Sequence, residues 1–99
     1  MNSKINLNDL IKKTEINVCV LSHTHNQLND IVINSFHNCD VIVHAGDIGD
    51  ADVLNHLNTK TDYVFSVRGN NDIEEKWPTH DLKTLAEIPD NLELSFDNE

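Results

Sequence analysis

The run Asp40-Val41-Ile42-Val43-His44-Ala45-Gly46-Asp47-Ile48-Gly49-Asp50 changes character halfway along. Its first half is continuously apolar and β-branched, as a strand covered on both faces requires. Its second half holds two glycines and two aspartates, which allow sharp backbone turns and start a helix. Val53, Leu54 and Leu57 follow at helical spacing, with Asp50 placed to cap them. A buried strand, a glycine-rich turn and a capped helix make one repeat of an α/β fold.

The same unit recurs on either side. Ile16 to Leu21 reads as an earlier strand, followed by the polar stretch Ser22 to Gln27. Leu28, Ile31, Val32 and Phe36 then mark a helix with Asn26 as its cap. Tyr63 to Val67 reads as a third strand, ended by Arg68-Gly69. The order β-α-β-α-β, with strands about 22 residues apart, calls for a parallel sheet with right-handed crossovers. Residues 7–13 suit a short helical turn. Residues 70–90 read as an irregular acidic loop with one helical turn near Leu82–Ala86. Leu92, Leu94 and Phe96 alternate with polar residues as a last strand, one expected to have an unpaired edge. The expected division is an N-terminal extension over 1–14 and one domain over 15–99.

Charge narrows the partners. Seventeen acids against seven Lys and Arg leave a net charge of −10, which disfavours a nucleic-acid backbone or an anionic membrane and suits a divalent cation. No apolar run approaches the length of a membrane span. Met1 to Lys13 has no apolar core of a signal peptide. The expected setting is the cytoplasm, with Cys19 and Cys39 as small buried thiols in apolar runs.

Each strand ends in possible metal ligands. His23-Thr24-His25 follows the first, Gly46-Asp47-Ile48-Gly49-Asp50 the second, and Gly69-Asn70-Asn71-Asp72 the third. In open parallel sheets, ligands bind outside the carboxyl ends of the strands. Each cluster alone fits turn or cap chemistry. Three in succession form a mixed nitrogen and oxygen donor set of the kind used for Mn, Fe, Ni or Zn.

These clusters resemble the motifs of the calcineurin-like metallophosphoesterases, which carry D-x-H, then G-D-x-x-D, then G-N-x-D/E after the strands of a βαβαβ unit. The phrases His44-Ala45-Gly46-Asp47-Ile48 and Val67-Arg68-Gly69-Asn70-Asn71-Asp72 are similar to the small single-domain phosphodiesterases of bacteria and archaea. The resemblance spans about residues 16–96 and implies the N-terminal half of that family's sandwich. It implies a hydrolase that cleaves phosphodiesters with two divalent ions. His25 would bind the first ion with His23 assisting, Asp47 would bridge both, and Asn70 would bind the second. Asp72 would belong to the catalytic machinery as an acid that orients its neighbours. Asp50 would first of all cap its helix.

This chain departs from that pattern in three places. His23 stands where the family has Asp, which removes one negative charge and favours softer metals. Asn71 stands where some members have His, and a carboxamide cannot act as a general acid. The family's further histidines, including a final G-H-x-H, have no counterpart here. His44 is expected in the core, and His37, His56 and His80 in solvent. The alternative reading is therefore a non-catalytic fragment or interaction module that pairs with a separate second half or forms a homo-oligomer. H-x-H after a first strand also occurs in amidohydrolase barrels, PHP-type phosphoesterases and metallo-β-lactamase folds. The barrels need about twice this length, and the last needs Asp and His where Gln27 and Leu28 stand.

Overall fold

The computed structural model describes residues 2–22, 24, 36 and 38–97. Among the described residues, five strands and two α-helices run in the order β1 (Asn2–Asn6), β2 (Val18–Leu21), β3 (Val41–His44), α1 (Ala51–Leu57), β4 (Val64–Ser66), α2 (Leu82–Glu87) and β5 (Asn91–Ser95). Short 3₁₀ turns cover Leu7–Asp9 and Thr79–Asp81. The helix expected over Leu28–Phe36, with its Asn26 cap, lies outside the described residues except for Phe36.

The central sheet has the order β2-β3-β4 and is parallel throughout, as the strand spacing required. Its register pairs Val18 with Val41 and Ile42 with Val64. Alternation along β3 sends neighbouring side chains to opposite faces. Ile42 joins Ile48, Val53, Leu57, Trp77, Leu85 and Ile88 in the core beneath the helices. Val41, fully buried, joins Leu7 and Ile11 in a second cluster on the other face.

That second cluster corrects one expectation. The last strand has a partner: β5 pairs in parallel with β1, from Asn2↔Asn91 to Asn6↔Ser95. Leu94 and Phe96 then pack with Ile5, Leu7 and Ile11 over Val41 and Val43. Residues at the start of the chain thus cover the sheet face that the helices leave open. The cover stops short of β2. Val18 and Val20, in register with Val41 and Val43, are 44% and 63% exposed.

The cysteines also differ from expectation. Cys19 and Cys39 form a disulfide, with Cα atoms 5.8 Å apart. Parallel pairing of β2 with β3 lays Cys19 beside the residues that lead into β3, and at this separation two cysteines can be bridged.

Candidate metal centre

The loops after β3 and β4 meet at the carboxyl end of the sheet. Gly46 and Gly49 have φ of 120° and 102°, and Asp47 has φ of 59°. Left-handed backbone is routine for glycine and costs an aspartate about 1–2 kcal/mol. The contact between the loops is close. A β-carbon at Gly46 would lie 2.9 Å from Gly69 Cα, and one at Gly69 would fall on the Asp47 nitrogen and carboxylate. Glycine is required at both places because backbone passes against backbone.

Asp72 holds this junction together. It is 1% exposed and accepts hydrogen bonds from both loops. Oδ2 takes the N–H of Asp47 at 2.8 Å and of Gly69 at 2.7 Å. Oδ1 takes the N–H of Ile48 at 2.9 Å, of Gly49 at 3.2 Å, and the Trp77 indole N–H at 2.9 Å. The Ile48 N–H also reaches Oδ2, at 3.2 Å. Charge-assisted bonds of this kind are stronger than neutral ones, so a single carboxylate sets the path of both loops. Asp72 is turned into the protein and acts on its neighbours.

Asp47 is the carboxylate placed by that arrangement. It is 9% exposed, and its Oδ1 accepts the N–H of Asn71 at 3.0 Å. Asn70 is exposed on the adjoining turn. Asn71 is only partly exposed, and its Oδ1 accepts from Lys76 Nζ at 2.6 Å. Arg68 is committed elsewhere: its Nε and Nη2 donate to the carbonyls of Ile88 and Leu85 at the end of α2. His23 and His25 lie outside the described residues. Thr24 between them is described, and its hydroxyl donates to the Ile48 carbonyl at 2.8 Å.

The remaining candidates fall into structural roles. His44 is fully buried, and its Nδ1 accepts the Gly46 N–H at 3.2 Å, which leaves Nε2 to donate to Thr24 Oγ1 at 3.0 Å. Through this chain His44 links the end of β2 to the turn before Asp47. Asp50 caps α1, its Oδ1 accepting the Val53 N–H at 3.2 Å, and Asp81 takes the Ala51 N–H at 3.1 Å. Burial, with Asp52 and Asp81 nearby, holds the Asp50 carboxyl above the usual carboxylate range. His56 and His80 are exposed, and His37 lies outside the described residues.

Among the described residues no three His, Cys, Asp or Glu side chains form a group able to hold a metal ion. Asp47 and Asn70 lie on the two loops that meet here, and a carboxylate and a carboxamide are oxygen ligands suited to divalent cations. They fit one side of such a site and need further ligands to close it.

Comparison with known families bears on this geometry. The profile of the calcineurin-like phosphoesterase superfamily domain matches residues 16–99. The chain belongs to the calcineurin-like phosphoesterase superfamily. Its parallel α/β core is that of the family's N-terminal half, and the glycine-aspartate and glycine-asparagine turns on this rim are the motifs on which the resemblance rested. No curated protein and no solved structure matches the chain. Sequence reasoning missed Trp77, which lies in what reads as an irregular loop. Its one signal was a bulky apolar residue, the chain's only Trp, amid charged neighbours.

Proposed function

We propose that this chain carries the first half of a metal-dependent phosphodiesterase site. The supporting observation is the junction at Asp72, which brings the Gly46–Gly49 and Gly69–Asn71 loops together and presents Asp47 at the sheet rim. In this reading His25, with His23 assisting, holds the first of two divalent ions, Asp47 bridges to the second, and Asn70 holds the second. Mn, Ni, Zn and Fe are the candidate ions. When bound, such a pair supplies Lewis-acid activation of water and charge neutralisation at the phosphate. Asp47 binds and orients, Asp72 keeps the Asp47 main chain in place, and Asn71 offers no proton to a leaving group.

The domain over 15–99 would be incomplete as a catalyst by itself, and the cytoplasmic setting expected for free thiols does not suit the Cys19–Cys39 disulfide. The second reading is a module that pairs with a separately made second half or with another copy. It is favoured by the uncovered face of β2, where Val18 and Val20 stand in solvent at the end of the central sheet. One assay separates the two. Mn²⁺-dependent turnover of an aryl phosphodiester is measured for the chain alone, for the chain with a polypeptide carrying the family's second half, and for the latter pair with His23→Asp. The first reading expects little or no turnover alone, gain with the second half, and further gain with the restored anion. No turnover in any combination refutes catalysis and leaves the binding module.

A further inference from the structure

We infer that Trp77 is a positioning residue for the candidate metal centre: its indole N–H fixes the Asp72 carboxylate, which in turn holds Asp47 in its left-handed conformation. The inference rests on the proposed site, with Asp47 as its central ligand.

A strained main chain persists only where its surroundings over-determine it. At Asp47 the surroundings include the N–H bond to Asp72 Oδ2, the Asn71 N–H on its own carboxylate and the close passage of Gly69. The Asp72 carboxylate must therefore be fixed in its own rotation. Of its five donor groups, four are main-chain N–H groups of the two loops it organises. They cannot fix it independently, because it fixes them. Trp77 is its side-chain donor from a third segment. The indole is 4% exposed and packed among Ile42, Ile48, Leu57, Leu85 and Ile88, so it cannot swing away. Its own main chain is held by the Ile73 carbonyl, which accepts the Trp77 N–H at 3.2 Å. A leucine or phenylalanine could fill such a site. Among buried apolar side chains only an indole adds an N–H donor there, and this one is spent on Asp72.

The test is amide hydrogen exchange in the ¹⁵N-labelled full chain with Trp77→Phe, paired with Mn²⁺ titration calorimetry. Losing one net hydrogen bond of about 1.4 kcal/mol corresponds to a tenfold change. Exchange at Asp47, Ile48, Gly49 and Gly69 should therefore quicken about tenfold, with Ile42 in β3 unchanged. Mn²⁺ affinity should fall about 10- to 100-fold. Uniform quickening that includes Ile42 would show a merely structural role and overturn the inference, as would unchanged exchange at the four amides. Asp47→Ala is the control on the site itself. If the wild-type chain binds no Mn²⁺, or binds it as well with Asp47→Ala, the proposed site fails, and the exchange pattern still decides what Trp77 does. Should Trp77→Phe fail to fold, benzothienylalanine in place of the single tryptophan keeps the shape, removes the N–H and decides by the same measurements.

Discussion

The two ends of the central sheet are built on opposite plans. At the carboxyl end, two loops are drawn together by one buried carboxylate, the main chain at Asp47 is left-handed, and two glycines are irreplaceable for lack of space. At the amino end, ordinary staples hold unstrained chain. Cys19 is bonded to Cys39, the Asp40 carboxylate pairs with Lys13 and accepts the Asn17 N–H, and Thr61 Oγ1 donates to the Asp40 carbonyl. The amino end secures strands against one another. The carboxyl end spends stability on the position of a single side chain, as binding sites commonly do.

The sharpest way to break this contrast is Asp72→Ala. It would leave several buried N–H groups without acceptors, each costing about 1–3 kcal/mol. Urea denaturation followed by circular dichroism should show a loss above about 4 kcal/mol. A loss below that of any amino-end variant would reverse the comparison. Next is reduction of the disulfide. Cys19 and Cys39 are 20 residues apart, and opening a loop of that size should cost about 3 kcal/mol on a chain-entropy basis. Denaturation with and without dithiothreitol measures it, and an unchanged midpoint would show that β2 and β3 need no staple.

Gly69→Ala should cost about 1–3 kcal/mol, since its methyl group would fall on the Asp47 main-chain nitrogen and carboxylate, both held in the junction. Its more telling effect should be at the amide signals of Asp47 and Asp72 in a nuclear magnetic resonance spectrum. Shifts confined to β4 would mean that the loops are less tightly joined than the structure shows.

The smallest effect is expected at Asp40. Hydrogen bonds from Lys13 and Asn17 hold its carboxyl below the usual carboxylate range. The unfolded chain therefore takes up a proton first as pH falls. The stabilisation is present above the ordinary carboxylate value and is lost as pH drops through the lower folded value. Lys13 is more than half exposed, so the pair is worth less than about 1 kcal/mol. Thermal unfolding of Lys13→Met should lie slightly below wild type at pH 6 and converge with it toward pH 2. A constant difference across that range would assign the effect to packing.

What the sequence disclosed and what it withheld follow from the range of each interaction. The parallel strands of the core and the helix over Ala51–Leu57 were legible because continuous apolar runs, caps and glycine turns are local signals. The rim position of Asp47 and the capping by Asp50 were legible for the same reason. The β1 strand was not. Asn2-Ser3-Lys4-Ile5-Asn6 has one apolar residue and no alternation, and only its distant partner makes it a strand. The disulfide depends on the register of β2 against β3, which no local pattern reveals. The indole of Trp77 reaches Asp72 through a fold of the acidic segment, so its role appears only in three dimensions. His23 and His25, the residues with the plainest ligand chemistry, lie outside what the structure describes.

The pairing of β1 with β5 has a consequence for the order in which the chain is made. On a ribosome, Asn2–Asn6 emerges well before its partner strand, Asn91–Ser95. The side-chain amide of Asn8, which accepts the Asp97 N–H at 2.8 Å and donates to its carbonyl at 2.7 Å, waits across a separation of 89 residues. Until then Val41 and Val43 lack the cover that Leu94 and Phe96 complete. Contacts so far apart in sequence close slowly, and apolar surface left open during synthesis is where nascent chains meet chaperones or one another. Between the making of Asn2–Asn6 and of Asn91–Ser95, the nascent chain therefore carries this apolar face open.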